Sequence, residues 1–298
     1  MTSLKNTIEN FEEAPPRVNE FRRFLRVFLS RPVVIFGAFI ILILFILAIF
    51  PQWIAPYDPV KQDLKNFLLQ PNSEHLLGTD ALGRDLLSRI IYGARTAVMV
   101  GVVALGIAAV SGMILGLVAG YFGGLTYAVI MRFIDALMAF PVLLLALAIA
   151  ALLGGGLVNV MIAIGVGMMS GYARVMCGQA ISVRENDYIL AARSSGASNM
   201  RIIFLHVLPN CFPPMIVLMT MMIGMTILFE AGLSFLGIGI KEPTIAWGSL
   251  VNDGYKYLLT HPLLSVAPGI AIILVVYAFN MVGDGIRDAI DPRLRGTF

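Results

Sequence analysis

Residues 33–50 read VVIFGAFIILILFILAIF, eighteen positions without a charged side chain. A run of about 18 or more apolar residues can cross the roughly 30 Å hydrocarbon core of a bilayer as a helix. A helix is demanded there because lipid offers no partners to backbone amides and carbonyls. Arg17, Arg22, Arg23, Arg26 and Arg31 precede the run, as basic residues precede a secretory signal. The run is longer than a typical signal core, however, and ends in Phe50-Pro51-Gln52-Trp53 without a small-x-small cleavage site. It reads as an uncleaved first membrane helix.

Further charge-free apolar runs occupy 96–120, 136–153, 157–173, 210–229 and 263–283. Composition agrees: 58% of the 298 residues are apolar and 13% charged, against roughly 45–50% and 25% in a soluble domain. The expected fold is an all-α integral membrane protein with six transmembrane helices. Six crossings put both termini on one side. That side holds six Lys or Arg in 1–32, one at Arg132, four from Arg174 to Arg201 and three after 284; the other holds five in 51–95 and two in 241–262. The positive-inside rule therefore places both termini in the cytoplasm. The chain divides into a cytoplasmic tail 1–32, a first helix 33–50, an extracytoplasmic segment 51–95, a five-helix core 96–284 and a cytoplasmic tail 285–298.

A net charge of +3, without basic and aromatic residues interleaved, gives no sign of a nucleic-acid partner. Cys177 and Cys211 have no His, Asp or Glu at ligand spacing and read as small apolar fillers, with no metal site expected. His75 and His261 read as isolated surface or interfacial residues. Gly112, Gly116 and Gly120 recur every four positions, a small-xxx-small face that lets a second helix approach closely within the membrane. Pro141 and Pro213-Pro214 read as marks of helix starts, where a missing amide donor costs least. Glu230, near the end of the 210–229 run, is the one acid at membrane depth and is expected to face the bundle as a channel or gating residue. A single acid makes a poor proton relay, which argues against a secondary transporter. A non-transporting membrane scaffold is the remaining rival.

The loop 184–209 reads RENDYILAARSSGASNMRIIFLHVLP. Asn186 or Asp187 can cap a short helix over 188–194, and Gly196 can end it in the left-handed conformation. Such a helix outside the membrane suits docking into a partner's groove, and equally an ordinary solvated connection. Ala191, Ala192, Gly196, Leu208 and Pro209 resemble the cytoplasmic E-A-A-x3-G-x9-I-x-L-P loop of membrane subunits of ATP-binding-cassette importers. Leu190 stands where that pattern has Glu and His206 where it has Ile; Glu185 and Asp187 lie close enough to supply a carboxylate.

A second stretch, 75–95, reads HLLGTDALGRDLLSRIIYGAR. Asp80 with Arg84 and Asp85 with Arg89 carry opposite charges four residues apart, the spacing of ion pairs on a helical turn. Asp80, Gly83, Arg84, Asp85, Arg89 and Arg95 resemble the G-T-D-x-x-G-R-D-x-x-S-R-x-x-x-G-A-R signature of the C-type permease in the dipeptide and oligopeptide group. Further matches are 119–124 (AGYFGG), Met131-Arg132-x-x-Asp135 and the ending 283–292 (GDGIRDAIDP). The resemblance implies a type I ABC importer permease fold in a bacterial or archaeal cell membrane. It also implies a homologous second permease subunit, two cytoplasmic ATPase subunits that bind ATP and Mg, and an extracytoplasmic binding protein delivering di- or oligopeptides. Nickel chelates, metallophores and glutathione-like peptides are alternative cargo within the group. A phosphate-binding loop needs a Gly-Lys pair, and none occurs in the chain. This subunit is therefore not expected to be an enzyme or to bind a cofactor itself.

The charge bias yields a test. A cysteine replacing Ser195 and one replacing Lys256 should react with an impermeant thiol reagent from opposite sides of the membrane; reaction of both from outside would overturn the assignment.

Overall fold

The computed structural model describes residues 20–290 and is helical, with no strand among the described residues. In order, the helices are α1 (Glu20–Leu29), α2 (Pro32–Ile49), α3 (Pro51–Ile54), α4 (Leu86–Phe122), α5 (Gly124–Met138), α6 (Val142–Leu153), α7 (Leu157–Arg184), α8 (Asp187–Ser194), α9 (Asn199–Ile202), α10 (Leu208–Phe235), α11 (Trp247–Tyr255) and α12 (Leu263–Ile290). Arg17 and the tail residues 291–298 lie outside the described residues. Five spans are long and apolar enough to cross a membrane, and the pair α5 and α6, bent by 90°, makes a sixth if counted as one span.

The loops collect at two ends. At the charged end, the 51–85 segment meets the α11–α12 connection, as where Gln70 Nε2 donates to the Thr260 carbonyl at 3.1 Å. The α6–α7 turn joins them there, with the Gly156 amide donating to Gly239 O at 3.1 Å. At the opposite end, Tyr121 Oη bonds Asn199 Oδ1 at 2.9 Å and Arg184 donates to Gly120 O at 3.1 Å. Arg31 pairs with Asp288 at 2.6 Å, so the first and last spans begin and finish together.

The centre of the bundle is the contact of α4 with α7. Cβ atoms added at Gly112, Gly116 and Gly120 would lie 2.5, 2.2 and 2.6 Å from the carbonyl oxygens of Met169, Ala173 and Cys177. Both sets advance by four, so two parallel helices touch backbone to backbone along two turns. Where lipid is as apolar as the side chains, this close packing replaces the hydrophobic effect as the source of association. The buried cluster of Val100, Ala104, Ile164, Met176, Ile202 and Met215 extends from it into α9 and α10.

Two sequence expectations change. The 136–153 run is not one helix: α5 ends at Met138, and Pro141 caps α6 after a right-angle turn. Pro141 does mark a helix start, but within the run. Pro213 and Pro214 do not mark a start; they lie inside α10, whose helical path begins back at Asn199 and continues through a π-helical turn at Ile203–Val207. The wider turn and the three missing donors, those of Pro209, Pro213 and Pro214, sit within three turns of each other, and all loosen the same stretch of ladder.

The glycine ladder predicts that Gly116→Leu lowers the thermal midpoint of the purified subunit in detergent, by an overpacking cost of about 1–3 kcal/mol. Gly106→Leu is the control, since Gly106 on the same helix has nothing within 4 Å of its Cβ position. Equal shifts for the two would refute the close-approach reading.

Candidate coupling loop and charged gate

The short helix α8 follows α7 after two residues. Asn186 occupies its N-cap position with extended backbone, but its side chain does not cap; it donates to the Ser182 and Val183 carbonyls at 3.3 and 3.0 Å, closing the end of α7 instead. The other end is as expected. Gly196 has φ +80, its amide donates to Arg193 O at 2.9 Å, and the Ala197 amide donates to Ala192 O at 3.1 Å. These two bonds are the paired closure of a Schellman motif, which needs a left-handed residue at this position. Glycine adopts that backbone without the Cβ clash that other residues meet.

One face of α8 holds it in place. Ile189 is fully buried in the cluster that contains Val183, Ile202, Ile203 and Val207, with Ala192 and Ala197 packed against it. Arg193 lies over the Tyr121 ring at 5.3 Å, and Tyr188 stands 6.3 Å from His206. The outer face, with Asp187, Leu190, Ala191 and Ser194, is exposed. Glu185 is exposed and pairs with Arg184 at 2.9 Å. Leu208 and Pro209 begin α10, so the loop passes into that span without a break.

At the charged end, Asp80 Oδ1 accepts the Leu82 and Arg84 amides at 2.9 and 3.0 Å, while Oδ2 accepts Arg84 Nε at 2.7 Å and Arg89 Nη1. Glu242 Oε1 takes a second nitrogen from each guanidinium, at 2.6 Å from Arg84 and 2.9 Å from Arg89. Two arginines and two carboxylates thus tie the α10–α11 connection to the 80–89 turn. Gly83 permits the turn: its φ is +72, and a Cβ there would lie 1.8 Å from Asp63 O. Arg95, one face away, is exposed and lines a separate hollow with Tyr57 and Tyr92.

The Asp85–Arg89 pair expected from spacing does not form. Asp85 is the N-cap of α4, accepting the Ser88 amide at 2.8 Å and bonding His75 Nδ1 at 2.9 Å. Arg89, released from it, turns to Asp80 and Glu242. His75 is likewise not a surface residue: it is buried between Asp85 and the Tyr57 ring, 4.7 Å away. His261 stays at the surface, bonded to Thr260. Glu230 is 1% exposed and faces the bundle, as expected; it accepts the Ser234 hydroxyl at 2.6 Å, and Ser234 Oγ accepts the Ile240 amide at 3.1 Å. Cys177 and Cys211 are buried free thiols.

Sequence reading missed Glu242, which lies more than 150 residues from both arginines, and missed Arg174, which pairs with Asp135. Asp135 had surfaced within a motif; Arg174 carried no signal beyond being the charge that ends an apolar run.

A bundle of five spans, or six with α5 and α6 counted as one, with a short helix between two of them suits a membrane subunit of an importer. Comparison with known proteins agrees: residues 112–296 match the family described as binding-protein-dependent transport system inner membrane component, and the chain belongs to that family. Residues 19–71 match the N-terminal TM domain of oligopeptide transport permease C. Among relatives, the probable D,D-dipeptide transport system permease protein DdpC of Escherichia coli is 40% identical over 89% of both chains. The di/tripeptide transport system permease protein DppC of Pseudomonas aeruginosa is 38% identical over 98% of this chain and 99% of its own. The glutathione transport system permease protein GsiD of Pectobacterium atrosepticum is 38% identical over 92% of both. The fold is that of a solved structure of the MetNI methionine ABC transporter in an inward-facing conformation, with TM-score 0.57 and 18% identity over 69% of this chain and 98% of that one. The protein is thus an ABC importer permease, a multi-pass inner-membrane channel subunit.

The charged tie has a pH signature. Burial pushes Asp80 and Glu242 up, but the Arg84 amide with Arg89 and Arg84 for Asp80, and Arg84 with Arg89 for Glu242, outweigh it and hold both carboxyls below their ordinary range. Groups depressed on folding add stability that is complete above the ordinary carboxylate range and is lost as pH falls through the depressed values. Thermal midpoints taken from pH 7 down to about pH 3 should therefore fall less steeply for Glu242→Gln than for wild type, from a lower starting point at neutral pH. Parallel curves would contradict the tie.

Proposed function

We propose that this chain forms half of the translocation channel of a peptide importer, paired with a homologous second permease, driven by two cytoplasmic ATPase subunits that bind ATP and Mg, and supplied by an extracytoplasmic binding protein. The observation that carries the reading is α8: a short helix seated by Ile189 in the core, closed by Gly196, with its opposite face free. A partner that pushes on the free face moves α8 with the ends of α7 and α10. Ala191 keeps that contact low, Ala192 lets the other face of the helix sit close on the core, and Glu185 or Asp187 supplies a carboxylate beside the contact. His206, behind Tyr188, backs the helix rather than meeting the partner. The coupling-loop end, with both termini, is cytoplasmic on this reading, and the Asp80–Arg84–Arg89–Glu242 tie faces outward at the channel mouth.

Peptides are favoured as cargo because the relatives at 38–41% identity are named for dipeptides, di/tripeptides and glutathione, all short molecules with charged ends. Glu230 acts at the mouth through Ser234 and Ile240, holding the turn from which Glu242 reaches the arginines, and does not line the path itself.

Coupling through α8 is tested in the reconstituted complex. Gly196→Val strains a left-handed residue by about 1–2 kcal/mol, and Ala192→Glu sets a charge into the packed face. Couplings between sites are themselves only about 1–3 kcal/mol, so the expected result is a subunit that inserts and assembles but in which binding protein no longer stimulates ATP hydrolysis. Stimulated hydrolysis and uptake at wild-type level in the double variant would refute the assignment.

A further inference from the structure

The ten residues of α1 read EFRRFLRVFL. With about 3.6 residues per turn, positions 21, 24, 25 and 28 fall on one side of the helix and positions 22, 23 and 26 on the other. On the first side Phe24 and Phe28 stack one turn apart, their ring centroids separated by 5.8 Å. Leu25 beside them is 38% exposed, and Arg26 on the second side is exposed. A helix that parts Phe and Leu from Arg in this way, with little net hydrophobicity, is of the kind that lies in the plane of a membrane surface.

Its place in the chain sets it at that depth. Only Ser30 and Arg31 separate α1 from α2. The outward half of α2, with Phe36, Phe39, Leu42 and Ile46, is exposed and wholly apolar, so α2 spans the hydrocarbon whatever packs beside it, and its first turn marks the hydrocarbon boundary. Arg31 is extended, φ −105 and ψ 117, which interrupts the helical path between the two. α1 therefore leaves the direction of α2 and packs against α12, whose Asp288 pairs with Arg31 at 2.6 Å. From 17 to 31 the sequence carries five arginines and one acid, Glu20. A basic cluster of this size on an amphipathic helix beside a span is drawn to anionic headgroups. A leaflet boundary also satisfies both sides of α1 at once, because acyl chains and phosphates adjoin there; a single protein surface would meet the Phe and Leu side or the arginine side.

We propose that α1 lies in the surface of the leaflet at the α8 end of the bundle and binds anionic phospholipid, with Phe24, Leu25 and Phe28 toward the acyl chains and Arg22, Arg23 and Arg26 at the level of the phosphates. Lipid held there fixes the end of α12 through the packing of α1 and the Arg31–Asp288 pair. The proposal depends neither on the cargo nor on which side of the membrane is cytoplasmic.

Two measurements on the full complex in nanodiscs test this, with an environment-sensitive fluorophore on Leu25→Cys and the wild-type complex carried through the same labelling as background. In the first, the label is quenched by phospholipid bearing doxyl groups on its acyl chains and, separately, by iodide in solution. Quenching by the doxyl lipid in excess of that by iodide supports the proposal. Quenching by iodide alone marks a helix in water, quenching by neither marks a helix covered by a partner subunit, and either result overturns it. In the second, the bilayer is an equal mixture of phosphatidylglycerol and phosphatidylcholine, with doxyl groups on only one of the two. Quenching should be stronger when phosphatidylglycerol carries them. That excess should vanish in about 1 M salt, where the Debye length is about 3 Å, and in the triple variant Arg22→Gln, Arg23→Gln, Arg26→Gln, but persist with Arg22→Lys, Arg23→Lys, Arg26→Lys. Equal quenching by the two lipids in the wild-type background at low salt, or an excess that survives both high salt and the glutamine variant, would refute the binding of anionic lipid by these arginines. The salt measurement needs no arginine variant, so a poorly assembling triple variant leaves the test intact.

Discussion

The contact of Gly112, Gly116 and Gly120 with the α7 backbone carries the rest of the molecule. Inside a bilayer, apolar side chains gain little by meeting one another, so association must come from close van der Waals contact. Three glycines at one spacing supply it along a single seam. Because the seam is backbone on backbone, α4 and α7 cannot slide without lifting a glycine off its carbonyl. Everything attached to their ends inherits that fixed register: the 80–89 turn through the start of α4, and α8 through the end of α7.

The same lack of water explains how polar groups are handled. Glu230 is acceptable inside the bundle because Ser234 donates to it, and Ser234 in turn fixes Ile240. Two residues on, Glu242 joins Arg84 and Arg89. Hydrogen bonds, joined by two residues of backbone, thus lead from the end of α10 to the turn before α4, with Arg89 Nε alone among the guanidinium nitrogens of Arg89 left without a partner among the described residues. Removing Ser234 would leave the buried Glu230 carboxyl unpaired, and that usually costs more than the bond itself contributes.

The fold was legible where the solvent dictated it. An apolar run that crosses a membrane has one conformation open to it, so the spans beginning near 33, 157 and 263 could be read from composition. The glycine spacing and the Gly196 end were also local, each set by residues within a few positions. The 136–153 run misled because a turn lined by protein or water is allowed at a depth where a turn in lipid is not, and composition does not record which neighbour is present. Pro213-Pro214 misled because a helix supported by its neighbours tolerates prolines inside it. The ion pairs were legible only when local: Asp80–Arg84 spans four residues, whereas Glu242 and Arg174 find partners that only the tertiary fold brings near. Asp85 shows the competing force, since capping the first turn of α4 satisfies orphan amides that an ion pair with Arg89 would leave open.

One segment touches every part of this arrangement. From Asn199 to Phe235 the chain is a single helical path, roughly 55 Å long at 1.5 Å per residue. It begins beside α8, passes through Met222 and Phe229 a hollow also lined by Met138, Phe140 and Met168, and ends at Glu230 and Ser234. A straight α-helix of that length would carry any displacement at one end undiminished to the other. This one contains a π-helical turn at Ile203–Val207 and three prolines, Pro209, Pro213 and Pro214, within the next two turns, so its ladder is weakest in the part nearest α8. Bending is therefore least costly there, and the stretch from Met215 onward stays regular against α4 and α12. A push on α8 would divide between flexing the near end of α10 and tilting its far part as a rod, and only the tilt would strain the Glu242 tie.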